Sequence, residues 1–131
     1  MPPARIRPRL IPMIRVSRQQ DVTIIELGPG YESLDERVLG EIGGVLLSEA
    51  TKADPPRVVL DLSGTGYIGT AFIELLVRAW KRLTQRGGTM VLCGLRPFCA
   101  DVLRVTRLDQ LWEAFPTRDQ AVATLGENAG Q

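Results

Sequence analysis

Between Val58 and Leu76 the chain reads VVLDLSGTGYIGTAFIELL: an apolar, β-branched run, a glycine-rich polar turn, and a helical pattern whose first turn carries the hydroxyl of Thr70. Residues of these types at a strand-to-helix junction can do two kinds of chemistry. Gly64, Gly66 and Gly69 have the GxGxxG spacing that lets backbone amides approach a pyrophosphate at the positive end of a helix. Alternatively, Thr70 can accept a phosphoryl group, because free amides and the helix dipole stabilise an anion there. The added charge, about −1.5 to −2, would then repel an acidic or apolar partner docked at that place. A structural role is also open to Thr70, as an N-cap whose oxygen accepts from an amide two or three residues on, worth about 1 kcal/mol.

The surroundings weigh against a nucleotide. Ser63 and a long polar turn separate the first glycine from the strand, and the next strand ends in Leu92, Cys93 and Gly94, with no acid for a ribose hydroxyl. Gly64 and Gly66 are then expected to be turn residues needing positive φ, and Ser63 and Thr65 to be turn hydroxyls. Asp61, a charge closing a buried strand, is expected to organise the following loop by accepting its amides. Phe72 shares a helical stripe with Leu76 and Leu83, which points it inward as core; pointing outward, it would add an apolar anchor beside Thr70.

Composition narrows the function classes. The 131 residues fit one domain, and 44% hydrophobic content suffices for a core. Histidine is absent, which removes the usual general base and the commonest transition-metal ligand, so neither an enzyme nor a metal or cofactor site is expected. Cys93 and Cys99 do not match a common zinc spacing and read as buried, reduced thiols. Arg5, Arg7, Arg9 and Arg15 all precede the first acid, Asp21, leaving 12 basic against 15 acidic residues in the remainder, near −3. That balance offers no footprint for nucleic acid. With no run approaching the roughly 20 apolar residues of a membrane span, and no signal core at the N-terminus, a cytoplasmic protein is expected.

Periodicity supplies the elements that position the junction. Residues 1–12, with four prolines and three arginines, read as a flexible arm, and the domain as 13–126, with 127–131 frayed. Met13–Ser17 and Val22–Leu27 suit an antiparallel pair of strands. Leu34, Val38, Ile42, Val45 and Leu46 recur at helical spacing, with Ser33 and Glu36 as a capping box, predicting a helix over 34–51. The unalternating VVLDL predicts a buried central strand. A helix follows on Phe72, Leu76, Ala79 and Leu83, with Arg78, Lys81, Arg82 and Arg86 on a solvated face. It stops at Gly87 and Gly88, and a buried strand covers Thr89–Cys93. Pro97 opens a helix carrying Phe98, Val102 and Leu103; a short strand lies in LWEAF, and a last helix runs over 118–125 behind Thr117 as cap. The whole is an α/β domain with a mixed four- to five-stranded sheet and helices mostly on one face.

The VVLDLS strand before the loop, the RGG turn into MVLCGL, the helix carrying VLRVTRLDQLW and the closing TRDQAVATL resemble the STAS, or anti-sigma factor antagonist, family over roughly residues 13–125. The family commonly carries Asp-Ser-Ser-Gly after an apolar dipeptide, its first Ser phosphorylated by a kinase that doubles as the anti-sigma factor. Gly69, Thr70, Ala71 and Phe72 stand at those positions, so the hydroxyl is kept and the other three residues depart. The resemblance implies a bacterial regulator whose partner, an anti-sigma factor or serine/threonine kinase, docks on Tyr31, Gly66, Tyr67, Gly69, Thr70, Ala71 and Phe72, the family fold bringing the loops of Tyr31 and Tyr67 together beside Thr70. A STAS-like accessory subunit of a lipid-transport ATPase, a docking module without a phosphorylation cycle, and a small nucleotide-binding protein using Gly64–Gly69 are the alternatives. A homodimer is open.

Overall fold

A computed structural model describes residues 14–28, 30–36 and 38–128; the N-terminal arm, Met13, and the last residues, 129–131, lie outside them. The chain builds a five-stranded sheet in the order β1 (Ile14–Gln19), β2 (Val22–Leu27), β4 (Arg57–Asp61), β6 (Thr89–Cys93), β7 (Ala114–Phe115). Strands β1 and β2 pair antiparallel across Gln20 and Asp21, both at positive φ, the geometry of a tight two-residue hairpin. The other pairings are parallel, with Ile25, Leu60 and Leu92 in register across the middle.

The unalternating strands follow from burial on both faces. Ile25, Val58, Leu60, Met90 and Leu92 face the core under α1 (Leu39–Lys52), α2 (Thr70–Gln85) and α3 (Pro97–Val105). Ile24, Val59, Val91 and Cys93 face Ala121, Val122 and Leu125 of α4 (Arg118–Asn128). Three helices thus cover one face and α4 alone the other. Thr117 caps α4 by accepting the Gln120 amide at 3.2 Å, and the helix runs to Asn128, three residues beyond the 118–125 expected.

The helix predicted over 34–51 begins later. Ser33 and Leu34 form a short strand, β3, that pairs in parallel with β5 (Tyr67–Ile68), and α1 starts at Leu39 with no side-chain cap. Leu34 is fully buried, and seating its side chain in the core outweighs the modest gain of a capping box at Ser33 and Glu36. The outer face of α2 is also not wholly solvated. Arg86 donates to the Ala50 and Ala53 carbonyls at 3.0 and 2.7 Å, and Arg82 to the Thr51 hydroxyl at 3.0 Å. Arg86 thus occupies carbonyls at the end of α1 that lack helical partners.

Candidate functional site

The loops at the carboxyl ends of β2, β4 and β6 meet at one end of the sheet, and Asp61 anchors that end. Its Oδ1 accepts the Ser63 amide at 2.9 Å, and its Oδ2 accepts Arg118 Nη2 at 3.0 Å. The same guanidinium lies 2.9 Å from Glu26 Oε1, so one arginine ties α4 to two strands. Burial acts to raise the Asp61 carboxyl, but hydrogen bonds from Ser63 and the Arg118 guanidinium outweigh it and hold the group below the usual carboxylate range.

Beyond Asp61 the glycine-rich turn is laced to the segment after β2. Thr65 is fully buried and donates its hydroxyl to the Tyr31 carbonyl at 2.8 Å. The amides of Gly66 and Tyr67 both donate to the Glu32 carbonyl, at 2.8 and 3.2 Å, and that of Gly69 to the Leu34 carbonyl at 3.3 Å. The amides that a pyrophosphate would need are therefore committed to protein carbonyls. Neither Gly64 nor Gly66 has positive φ, contrary to expectation; Gly30, Gly87 and Gly94 do. A Cβ at Gly66 or Gly69 would meet its neighbours only at ordinary contact distance, 3.6 and 3.5 Å.

This lacing sets the outer surface. Tyr67 is 45% exposed and stacks on Phe98, ring centroids 5.6 Å apart. Thr70 is exposed as the first residue of α2, behind Gly69, which holds the N-cap position at φ −104° and ψ 176°. No side chain caps this helix, so Thr70 is not the cap that its position allowed for. The leading amides of α2 face outward with the positive end of the dipole behind them. Asp35, Glu36, Tyr67, Gly69, Thr70 and Ala71 line a cleft of about 210 Å³ there.

Of the residues expected to meet a partner, Gly66, Tyr67, Gly69, Thr70 and Ala71 come together at this end. Two do not belong to its surface. Tyr31 is 1% exposed and donates its hydroxyl to Glu41 Oε1 at 2.8 Å; burial, reinforced by that carboxylate, pushes its phenol up to about 12. Phe72 is fully buried, as its stripe with Leu76 and Leu83 implies. The site also holds residues that sequence reasoning missed. Phe98 reads as part of an apolar helix face, yet Cys99 and Leu103 take the inward positions of α3 and leave Phe98 48% exposed. Asp35 and Glu36, read as helical, lie across the cleft from Thr70 because α1 starts late. Both cysteines are free and buried, and burial with the nearby Asp61 carboxylate pushes the Cys93 thiol up to about 12.

Comparison with known proteins places this geometry. The family model for the STAS domain matches residues 14–121. The structure is similar to that of an anti-sigma-factor antagonist (STAS) domain protein from Planctomyces limnophilus, with a TM-score of 0.81 and 36% identity over 85% of this chain and 96% of that one. At 12% identity the Bacillus cell fate determinant SpoIIAA, in its phosphorylated form, shares the fold, with a TM-score of 0.64 over 86% of this chain and 99% of that one. BtrV of Bordetella bronchiseptica, a candidate anti-sigma factor antagonist, is 33% identical over 67 residues, which are 51% of this chain and 58% of that protein. The match thus spans little more than half the length of that curated relative. Among the described residues no helix is long and apolar enough to cross a membrane.

Proposed function

This chain belongs to the STAS-domain family, and we propose that it acts as an anti-sigma factor antagonist, docking an anti-sigma factor with serine/threonine kinase activity through the end that carries Tyr67 and Thr70. The observation that carries this reading is the exposed Thr70 hydroxyl at the opening of a helix that no side chain caps, beside an exposed tyrosine. In the unmodified protein this end offers an apolar ring, a neutral hydroxyl and outward-facing amides, a surface that a partner's side chains and carbonyls can cover. Phosphorylation of Thr70 places a dianion on the helix end, where the amides and dipole stabilise it with little strain on the fold. The same charge meets whatever acid or apolar group the partner seats there. Two unit charges about 4 Å apart at a protein surface repel by about 4 kcal/mol at an effective dielectric of about 20, and each 1.4 kcal/mol is roughly tenfold in affinity. That is ample for a binding switch.

Docking is tested by titrating an anti-sigma-type serine kinase domain with the unmodified protein, Thr70→Val and Thr70→Glu. Retained binding by Thr70→Val and loss of at least tenfold by Thr70→Glu supports the reading. Equal binding by both variants contradicts it.

A further inference from the structure

The Tyr67–Phe98 stack joins two surface clefts. Tyr67 lines the cleft that holds Thr70, and its stacked neighbour Phe98 lines a second cleft of about 340 Å³ along α3, with Val102, Val105, Asp101 and Thr106. Positions 98, 102 and 105 follow the helical period, whereas Cys99 and Leu103 carry the inward stripe. Helix α3 therefore has two apolar stripes: Cys99 and Leu103 are buried, while on the other Val102 packs partly against the core and Phe98 and Val105 stay exposed. Phe98 at 48% and Val105 at 75% exposure make the outer stripe contiguous with the aromatic pair, unlike the scattered apolar residues of an ordinary surface.

Charge states what covers it. Asp101 is already paired with Arg104 at 2.7 Å. Arg96, immediately before α3, and Arg107, just beyond it, are exposed, and among the described residues neither side chain makes a hydrogen bond or ion pair. The Arg96 guanidinium lies over Gly66, the residue before Tyr67, 3.6 Å from where a Cβ would stand. A helix of nine residues is about 13 Å long, so the two cations bracket an apolar ridge of two to three turns. Two arginines, at about 1 kcal/mol each near an anionic leaflet, are too few to hold a lipid surface. A nucleic acid would meet the Asp35 and Glu36 carboxylates on the adjoining cleft.

We infer that the protein partner covers both clefts at once, laying an amphipathic helix along α3 with its apolar face on Phe98, Val102 and Val105, carboxylates toward Arg96 and Arg107, and the Tyr67–Phe98 pair as the anchor. This rests on the docking function proposed above and adds the second half of the footprint and the chemistry of what fills it.

The test is affinity for an anti-sigma-type serine kinase domain, measured for the full chain and for Phe98→Ser, Val105→Asp and the double variant Arg96→Glu/Arg107→Glu, with Lys81→Ala as a control and circular dichroism to verify folding. Val105 is so exposed that its substitution leaves the fold intact even if Phe98→Ser does not. The expected result is a loss of tenfold or more for Phe98→Ser and Val105→Asp, an unchanged control, and a loss for the arginine pair that shrinks at high salt. Affinities within twofold of the parent for all α3 variants, with Thr70→Glu still abolishing binding, would overturn this inference and leave the docking reading standing. No binding by the parent chain overturns both. Conversion of a parent dimer to monomer by Val105→Asp, with kinase affinity unchanged, would show a second copy on this face and overturn the inference alone.

Discussion

The Tyr67 ring stacks on Phe98 with planes 21° from parallel, and this contact joins a two-residue strand to the start of α3. Tyr67 is held from behind by the Glu32 carbonyl, which accepts its amide, and Phe98 by the helix that buries Cys99 beneath it. An aromatic pair fixed on both sides loses little side-chain freedom when a partner covers it, which favours it as an anchor beside a switchable hydroxyl.

Thr70 and Phe72, two residues apart in one helical turn, have opposite energetic roles. Phe72→Ala empties a fully buried site and is expected to cost about 3–5 kcal/mol. Thr70→Ala removes no capping hydrogen bond and is expected to change stability by less than about 0.5 kcal/mol. Urea denaturation of both variants checks this. A cost near 1 kcal/mol for Thr70→Ala would reveal a capping role.

Gly69→Asp is expected to stabilise the protein by a few tenths of a kcal/mol, since Asp is a better N-cap than Gly and the backbone there is already extended. A Cβ at this position meets the Tyr67 ring only at ordinary contact distance, 3.5 Å. The denaturation midpoint should rise, and a fall would mean that the loop needs glycine.

Asp61 and Arg118 predict a pH dependence. The folded-state pKa of Asp61 is depressed, so its contribution is present above the carboxylate's ordinary pKa and is lost as pH falls through the lower folded value. Arg118→Met leaves a nearly buried carboxylate without its cation and is expected to cost about 1–2 kcal/mol at neutral pH, since the arginine itself is partly exposed. The variant's melting temperature should rise less between pH 3 and 6 than the parent's. Parallel profiles would assign the acid dependence elsewhere.

Burial raises both thiols, that of Cys93 to about 12, so neither should react in the native state. A thiol reagent at pH 8 is expected to label them only in denaturant. Fast labelling of either would show that its end of the sheet opens.

Much of this fold is legible in the sequence for a clear reason. Strands buried on both faces lose alternation, so VVLDL and TMVLC stand out, and α2 carries a stripe from Phe72 to Leu83. The two-residue strands β3 and β5 have no period to detect, and the Ser33–Glu36 spacing imitates a capping box that the burial of Leu34 overrides. At the site, Thr70 and Tyr67 are readable because a helix opens there. Tyr31 is not, because a tyrosine in a loop can bury its ring and give its hydroxyl to a distant acid such as Glu41. Phe98 and Cys99 are both apolar, and only the sheet decides which of them faces inward.

The most direct measurement is to incubate the purified protein with an anti-sigma-type serine/threonine kinase and ATP, then read intact mass and map the modified residue, with Thr70→Ala alongside. The expected result is a single phosphate on Thr70, absent from the variant, and loss of the complex with the kinase once it is added. An active kinase that leaves the protein unmodified, or that modifies another hydroxyl, would contradict the switch and leave Thr70 as part of a constitutive docking surface.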